Sequence, residues 1–477
     1  MATTTDTIRR ILVGGEWYET GETLDVTSPF DGSTVARVAY GGREDARRAV
    51  DAAARAMETP VPAHERAAVL DRVAGILRER RDEFARTIAQ EAGKPISTAQ
   101  VEADRAVQTI TFSAVEARAL GGELIGMDAH PAGVNHAGMV IRRPIGVVGA
   151  ISPFNFPLNL VAHKVGPAFA AGCACVLKPA TATPLSALLL AQAFADAGQP
   201  AGWLNVVVGN SSEIGDVLIE DPRVALITFT GSSEVGWKLR ERAARKKVNL
   251  ELGNSTPVIV MADADLDKAA AAVAANGYAF AGQSCISVQR VYVEEAAYDD
   301  FVRALTPKVE ALVTGDPLDP ATQVGPVIDE GNRDRILTWV KEAVDGGATL
   351  LAGGEADEQG LIRPTLLGGV DLEMQVACRE VFGPVVALAP VKDIDDAIER
   401  ANGTDYGLQA GVYTRDMSRA LRAAERLDFG GVTLNEAPTW RADQMPYGGV
   451  KESGNTREGP KYAVREMTEP RLVVIGY

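Results

Sequence analysis

Between residues 145 and 261 short apolar runs alternate with helical stretches, and few architectures accommodate that order. The runs are Ile145–Ile151, Ala174–Leu177, Leu204–Val208, Val224–Thr230, Val248–Leu252 and Val258–Met261, with helical signal at Leu185–Ala197 and Glu213–Glu220 between them. Runs this short and rich in β-branched residues read as strands, and helices between them act as right-handed crossovers. The expected fold is therefore α/β, a mostly parallel sheet covered on both faces, which binds nucleotides at the carboxyl ends of its strands. A further α/β block is expected from about Gly253 to Thr439, with helices around Leu266–Ala275, Asp299–Leu312 and Ile394–Asn402.

Upstream, Ala46, Ala49, Val50, Ala53 and Met57 recur on one face of a helix over 44–57. A second long helix is expected from about His64 to Glu91, carrying Leu70, Val73, Leu77, Phe84 and Ile88 inward. It should stop at Ala92-Gly93-Lys94-Pro95, where glycine supplies a left-handed cap and proline forbids continuation. At the other end, Arg471-Leu472-Val473-Val474-Ile475 reads as a strand without a sequence neighbour. It pairs either with another subunit or with a distant part of its own chain.

A length of 477 residues predicts about three domains or two large ones. Lys plus Arg total 48 against 64 Asp plus Glu, and the net charge of −16 argues against a nucleic-acid partner. Four cysteines are too few for a disulfide scaffold in so long a chain, which points to a reducing compartment. The apolar run Ile11-Leu12-Val13 is too short for a secretion signal, and no apolar stretch reaches membrane-spanning length. A soluble cytoplasmic protein without a membrane partner is expected.

Cys285, in Phe280-Ala-Gly-Gln-Ser-Cys-Ile-Ser287, sits beside small residues where backbone N–H groups and solvent reach it, as thiolate chemistry requires. An inert buried cysteine explains the segment as well. That second reading is the one for Cys173 and Cys175, which alternate as a strand enters the core; Cys378 lies in an expected loop and has no assigned role. Glu251 stands between two leucines at the end of an apolar run, just before Gly253. Desolvated there it would serve as a general base; solvated, it is an edge-strand carboxylate. Asn155 is locked in Ser152-Pro-Phe-Asn-Phe-Pro157, a fixed amide suited to an oxyanion or simply a turn residue. The chain has no G-x-G-x-x-G and no complete Walker A motif, but Phe229-Thr-Gly-Ser-Ser-Glu-Val-Gly236 reads as strand, glycine turn and helix start, a candidate dinucleotide site. His64, His130, His136 and His163 show no metal-ligand spacing, so no metal is expected.

Taken in order, PFNFP, LKPA, FTGS, ELGN, GQSC, EVFGP and MPYGGVKESG resemble the motifs of the aldehyde dehydrogenase superfamily. The resemblance runs from Gly14-Gly15-Glu16-Trp17 to the C-terminus and lies nearest to lactaldehyde, glyceraldehyde and non-phosphorylating glyceraldehyde-3-phosphate dehydrogenase-like members. It implies a cofactor domain from 1–120 and 144–250, a catalytic domain from 251–445, and a β oligomerisation arm from 121–143 and 460–477 in a homodimer or homotetramer. It implies Cys285 as nucleophile, Asn155 as oxyanion donor and Glu251 as the base that hydrolyses a thioester. The dinucleotide cleft it implies comprises Ile151, Ser152, Pro153, Phe154, Lys178, Thr181, Ser211, Gly215, Phe229, Thr230, Gly231, Ser232, Val235, Leu252 and Gly253. Glu380 and Phe382 match the motif that holds the nicotinamide ribose.

NAD-preferring members often carry a glutamate three residues after the motif lysine; here Lys178 is followed by Thr181. A hydroxyl can donate to a 2′-phosphate that a carboxylate would repel, so NADP is expected to be accepted alongside or ahead of NAD. Members acting on glyceraldehyde 3-phosphate usually carry arginine before the nucleophile and tyrosine after the motif asparagine. Ser284 and Phe156 occupy those positions here, which argues against a phosphorylated substrate. Arg441, in Thr439-Trp-Arg-Ala442, and Arg105 remain as candidates to face a polar or anionic substrate end; as surface arginines they would do nothing of the kind. The expected substrate is a short polar aldehyde or semialdehyde. A coenzyme A-acylating enzyme, a nucleotide-independent cysteine esterase and a silent scaffold are the alternatives, and Glu251 argues against the first.

Overall fold

A computed structural model describes residues 8–477; the first seven residues of the expected cofactor domain lie outside them. The strands Lys247–Glu251, Val224–Thr230, Val147–Ile151, Cys175–Lys178 and Leu204–Val206 form a parallel sheet in that spatial order. Ile11–Val13 and Glu16–Tyr18 extend it antiparallel. The central strands Val147–Ile151, Cys175–Lys178 and Leu204–Val206 are buried on both faces but for the half-buried Ile151, because helices cover the sheet on each side. A second sheet runs Thr349–Ala352, Thr365–Gly368, Val385–Val391, Val288–Glu294, Thr256–Val260, Gln409–Tyr413 and Gly431–Leu434, parallel except at its first pair. Helices Leu266–Tyr278, Tyr298–Glu310 and Ile394–Asn402 pack on it.

The helix expected from His64 to Glu91 is two helices, Ala63–Glu79 and Arg81–Ala92. Arg80 leaves helical geometry at φ −100°, ψ 19°, and no glycine or proline marks the break. The second of them ends as expected, with Gly93 left-handed at φ 67°. Cys378 ends a short helix, Gln375–Cys378, rather than lying in a loop. The terminal strand Thr468–Gly476 pairs antiparallel with His136–Pro144 of its own chain, in register from Thr468↔Pro144 to Gly476↔His136. Glu123–Ile125 completes this three-stranded sheet, leaving Thr468–Gly476 at its edge with Leu472, Val474 and Ile475 exposed. Among the described residues no helix is long and apolar enough to cross a membrane.

One helix matters most for the site. Asn159–Ala171 is buried along its whole length, so its polar residues Asn159, His163 and Lys164 must find partners inside the protein. The buried pair Lys94–Glu102 sits at its start: Glu102 Oε1 accepts from the backbone N–H groups of Leu158 and Asn159, 2.9 and 3.1 Å away. A carboxylate there suits the unsatisfied N–H groups and positive end of the helix.

Candidate active site

Between the two large sheets opens a cleft of about 840 Å³. Along the strand ends of the first sheet it is lined by Ile151, Ser152, Pro153, Phe154, Lys178 and Thr181. Ser211, Gly215, Phe229, Thr230, Gly231, Ser232 and Val235 continue it, with Leu252, Gly253, Glu380 and Phe382 at the second domain. Cys285 and Asn155 line the same cleft, so every cofactor position implied by the motifs meets the Cys285 thiol and the Asn155 amide there. The motifs did not mark Lys238, Arg242, Asn332 and Arg335, which also line it.

The cleft suits a dinucleotide. The helix Ser233–Arg242 starts directly after the Thr230-Gly231-Ser232 turn, presenting free N–H groups as a phosphate requires. Lys178 is a largely buried cation, pushed down to about 8 by that burial, whose Nζ donates to Thr181 Oγ1 at 3.3 Å. Glu380 is half-buried, and desolvation pushes it up to about 7; its carboxylate accepts from the Asn254 N–H at 3.0 Å, which favours the ionised form. Phe382 holds a left-handed φ of 50° and packs edge-to-face on Phe154, with ring centroids 5.8 Å apart. Such strain in a bulky residue persists only where packing over-determines it.

Cys285 follows a strained turn in which Phe280 and Ala281 both have φ near 51°. This turn carries the thiol out of the core and into the cleft. Its surroundings are Ile286, Leu408 and Tyr447, and burial pushes the thiol up to about 12. The Tyr447 hydroxyl lies 2.8 Å from Sγ. Asn155 is 4% exposed, and its Nδ2 donates to the Gln283 carbonyl at 3.0 Å, tying the amide to the nucleophile loop.

Glu251 is not the solvated edge residue that strand alternation allows. The segment from Tyr447 to Glu458 folds over the edge of the first sheet: Leu252 N–H donates to the Ser453 carbonyl at 3.0 Å and Leu250 N–H to Asn455 Oδ1 at 2.8 Å. Glu251 is left 5% exposed with neither carboxylate oxygen hydrogen-bonded. A β-carbon on Gly448 would lie 2.7 Å from Glu251 Oε1, so the covering segment passes only as glycine. Burial, reinforced by the neighbouring Glu458, holds Glu251 well above the usual carboxylate range.

Arg441 is likewise no surface arginine. Its Nη2 donates to Glu458 Oε2 at 2.8 Å and lies 3.2 Å from His163 Nε2, while the guanidinium stacks 3.8 Å from the Tyr447 ring centroid. His163 Nε2 also lies 3.0 Å from Asp443 Oδ1, and Arg105 grips Asp443 with two bonds of 2.8 and 3.2 Å. Lys164 donates to Thr228 and Thr230 on the neighbouring strand. Burial would raise Glu458, but His163, Arg441 and Lys164 around it hold it below the usual range. Neither arginine lines the cleft; both end in this one buried charge cluster behind Cys285. His163, Lys164 and Glu458 were not singled out from sequence, since each lies in a segment that reads as ordinary core or loop; Tyr447 lies in the motif MPYGGVKESG but carried no assigned role.

Phe156 and Ser284 flank the two loops. Lys94 Nζ stands 3.6 Å from the Phe156 ring centroid and 4.5 Å from that of Phe280, so one buried cation touches both the Asn155 loop and the Cys285 turn. Cys173 and Cys175 are buried, their thiols pushed up to about 11 and about 12 by desolvation, and are inert core residues.

The aldehyde dehydrogenase family model matches residues 17–473. The chain is 44% identical over 465 residues to a 3-sulfolactaldehyde dehydrogenase of Priestia aryabhattai, covering 98% of this chain and 97% of that one. It is 40% identical over 476 residues to the succinate-semialdehyde dehydrogenase (NADP(+)) GabD of Escherichia coli (strain K12), covering 98% of each. The crystal structure of aldehyde dehydrogenase 21 from Physcomitrella patens, in complex with the reaction product succinate, superposes with a TM-score of 0.95 at 40% identity over 99% of both chains. With a family match over nearly the whole chain and relatives of this identity, the protein is an oxidoreductase that belongs to the aldehyde dehydrogenase family.

Proposed function

We propose that the protein oxidises a short aldehyde with a polar or anionic tail to the carboxylic acid, accepting NADP as well as NAD. The observation that carries this is the meeting of Cys285 and Asn155 in one cleft with Lys178, Gly231, Ser232 and Glu380. A nicotinamide dinucleotide, when bound, supplies the hydride acceptor. Lys178 and Thr181 would hold its adenosine end, the start of the helix Ser233–Arg242 its pyrophosphate and Glu380 its second ribose. The 1–120 and 144–250 segments serve as the cofactor domain, 251–445 as the catalytic domain, and 121–143 with 460–477 as an arm between subunits of a dimer or tetramer.

Cys285 Sγ attacks the aldehyde carbon, placing negative charge on the former carbonyl oxygen. An amide NH₂ has two donors, and Gln283 takes only one from Asn155. The second, with the Cys285 backbone N–H, holds that oxyanion. Once hydride has left, Cys285 carries a thioester. Glu251, unbonded and strongly basic when ionised, takes a proton from water, which hydrolyses the thioester and releases the acid.

The relatives support an anionic tail: by name they act on sulfolactaldehyde and on succinate semialdehyde. The test is a panel of aldehydes assayed with NAD and with NADP, with Cys285→Ala as blank. Anionic three- and four-carbon aldehydes should be turned over best. Equal turnover of neutral and anionic aldehydes of the same length removes the anionic tail, and activity surviving in Cys285→Ala removes the mechanism.

A further inference from the structure

We propose that Tyr447 is a catalytic residue whose hydroxyl donates a hydrogen bond to the Cys285 sulfur and stabilises the thiolate when the thiol gives up its proton. The proposal rests on Cys285 being the nucleophile. Sγ is packed among Ile286, Leu408 and Tyr447, and the Tyr447 oxygen, 2.8 Å away, is the polar atom within hydrogen-bond reach of it. A thiolate formed in such a setting has lost most of its water. It needs a replacement donor, and a hydrogen bond to a charged acceptor is worth roughly twice one between neutral groups.

Tyr447 is built to donate rather than accept. It is 4% exposed, so the phenol is fixed rather than free to swing toward solvent. Burial, together with the adjacent sulfur, holds its own ionisation well above the usual range, so it keeps its proton whenever Cys285 has lost its own. The Arg441 guanidinium on the ring face, 3.8 Å from the centroid, draws electron density from the ring and makes the hydroxyl a better donor. The other charged groups that act on the sulfur are Glu380 and Glu251, which disfavour the thiolate, and Arg441, which favours it. Tyr447 and Arg441 thus offset two carboxylates that the chemistry requires nearby. A phenylalanine would fill the same space and remove the hydroxyl donor from the sulfur.

The experiment is the pH dependence of Cys285 alkylation by iodoacetamide in the full-length apoenzyme, followed by peptide mass spectrometry, in wild type and Tyr447→Phe. The ring and the Arg441 stack survive the substitution; only the hydroxyl is lost. At any fixed pH from about 7 to 10, alkylation of Cys285 is expected to be about tenfold slower in the variant. Half-exposed Cys378, read in the same digest, should alkylate identically in both proteins and reports that the variant is folded. An unchanged or faster rate at Cys285 overturns the proposal. The readout needs no aldehyde, so it fails separately from the assignment of Cys285 as nucleophile, which turns on the activity of Cys285→Ala.

Discussion

Replacing Lys94 by methionine should cost far more than an ordinary core substitution, because of what it strands. Lys94 and Glu102 are both fully buried, paired with each other, and Glu102 Oε1 also caps the helix Asn159–Ala171. Methionine keeps most of the volume but leaves a buried carboxylate without its cation, a change worth about 3–5 kcal/mol. Two backbone N–H bonds to Glu102 remain and reduce this, while loss of the cation from the faces of Phe156 and Phe280 adds about 1–2 kcal/mol. A net destabilisation of about 4 kcal/mol follows. Adding Glu102→Gln removes the stranded charge and keeps an acceptor for the helix N-terminus, so the double variant should recover about 2–3 kcal/mol relative to Lys94→Met. The assay is urea unfolding of apoenzyme at one protein concentration, comparing midpoints at constant m-value. A loss below about 1 kcal/mol for Lys94→Met, or strict additivity in the double variant, refutes the idea that this pair braces the two loops of the site.

Two further outcomes are expected. Glu251→Gln should leave a stoichiometric burst of reduced dinucleotide but slow the steady state about 10²–10⁴-fold, read by stopped-flow absorbance. The base must be ionised to act, and burial raises its ionisation, so wild-type turnover should climb with pH through an apparent value well above the ordinary carboxylate range, a limb absent from the variant. Thr181→Glu places a carboxylate beside Lys178, where repulsion of a 2′-phosphate at about 4 Å reaches about 4 kcal/mol before screening. Steady-state kcat/KM with NADP should fall about a hundredfold and that with NAD less than about threefold; parallel losses would show that this end of the cleft does not read the phosphate.

Much of the architecture could be read directly because its cause is local. The strand Val224–Thr230 and the helix Ile394–Asn402 have the bounds their residue patterns imply, and Gly93 caps its helix left-handed for want of a side chain. The motif order likewise picked out Cys285, Asn155 and the residues that line the cleft; Asn155 and Gly253 follow the apolar strands Val147–Ile151 and Lys247–Glu251, whereas Cys285 lies in the turn before Val288–Glu294 and only its motif marks it. The break at Arg80 was not legible, because no residue there forbids a helix and packing alone bends the chain.

What sequence could not settle is every property that depends on who covers whom. Glu251 lies on an edge strand, where alternation allows water; a segment two hundred residues later closes over it and turns a surface carboxylate into a desolvated one. Arg441 reads as a loop arginine until Glu458, His163 and Tyr447 enclose it. The terminal strand finds its partner at His136–Pro144, more than three hundred residues upstream. Periodicity records which face of an element is apolar, but burial and charge pairing are sums over neighbours brought in by folding, and those neighbours lie far outside any local window.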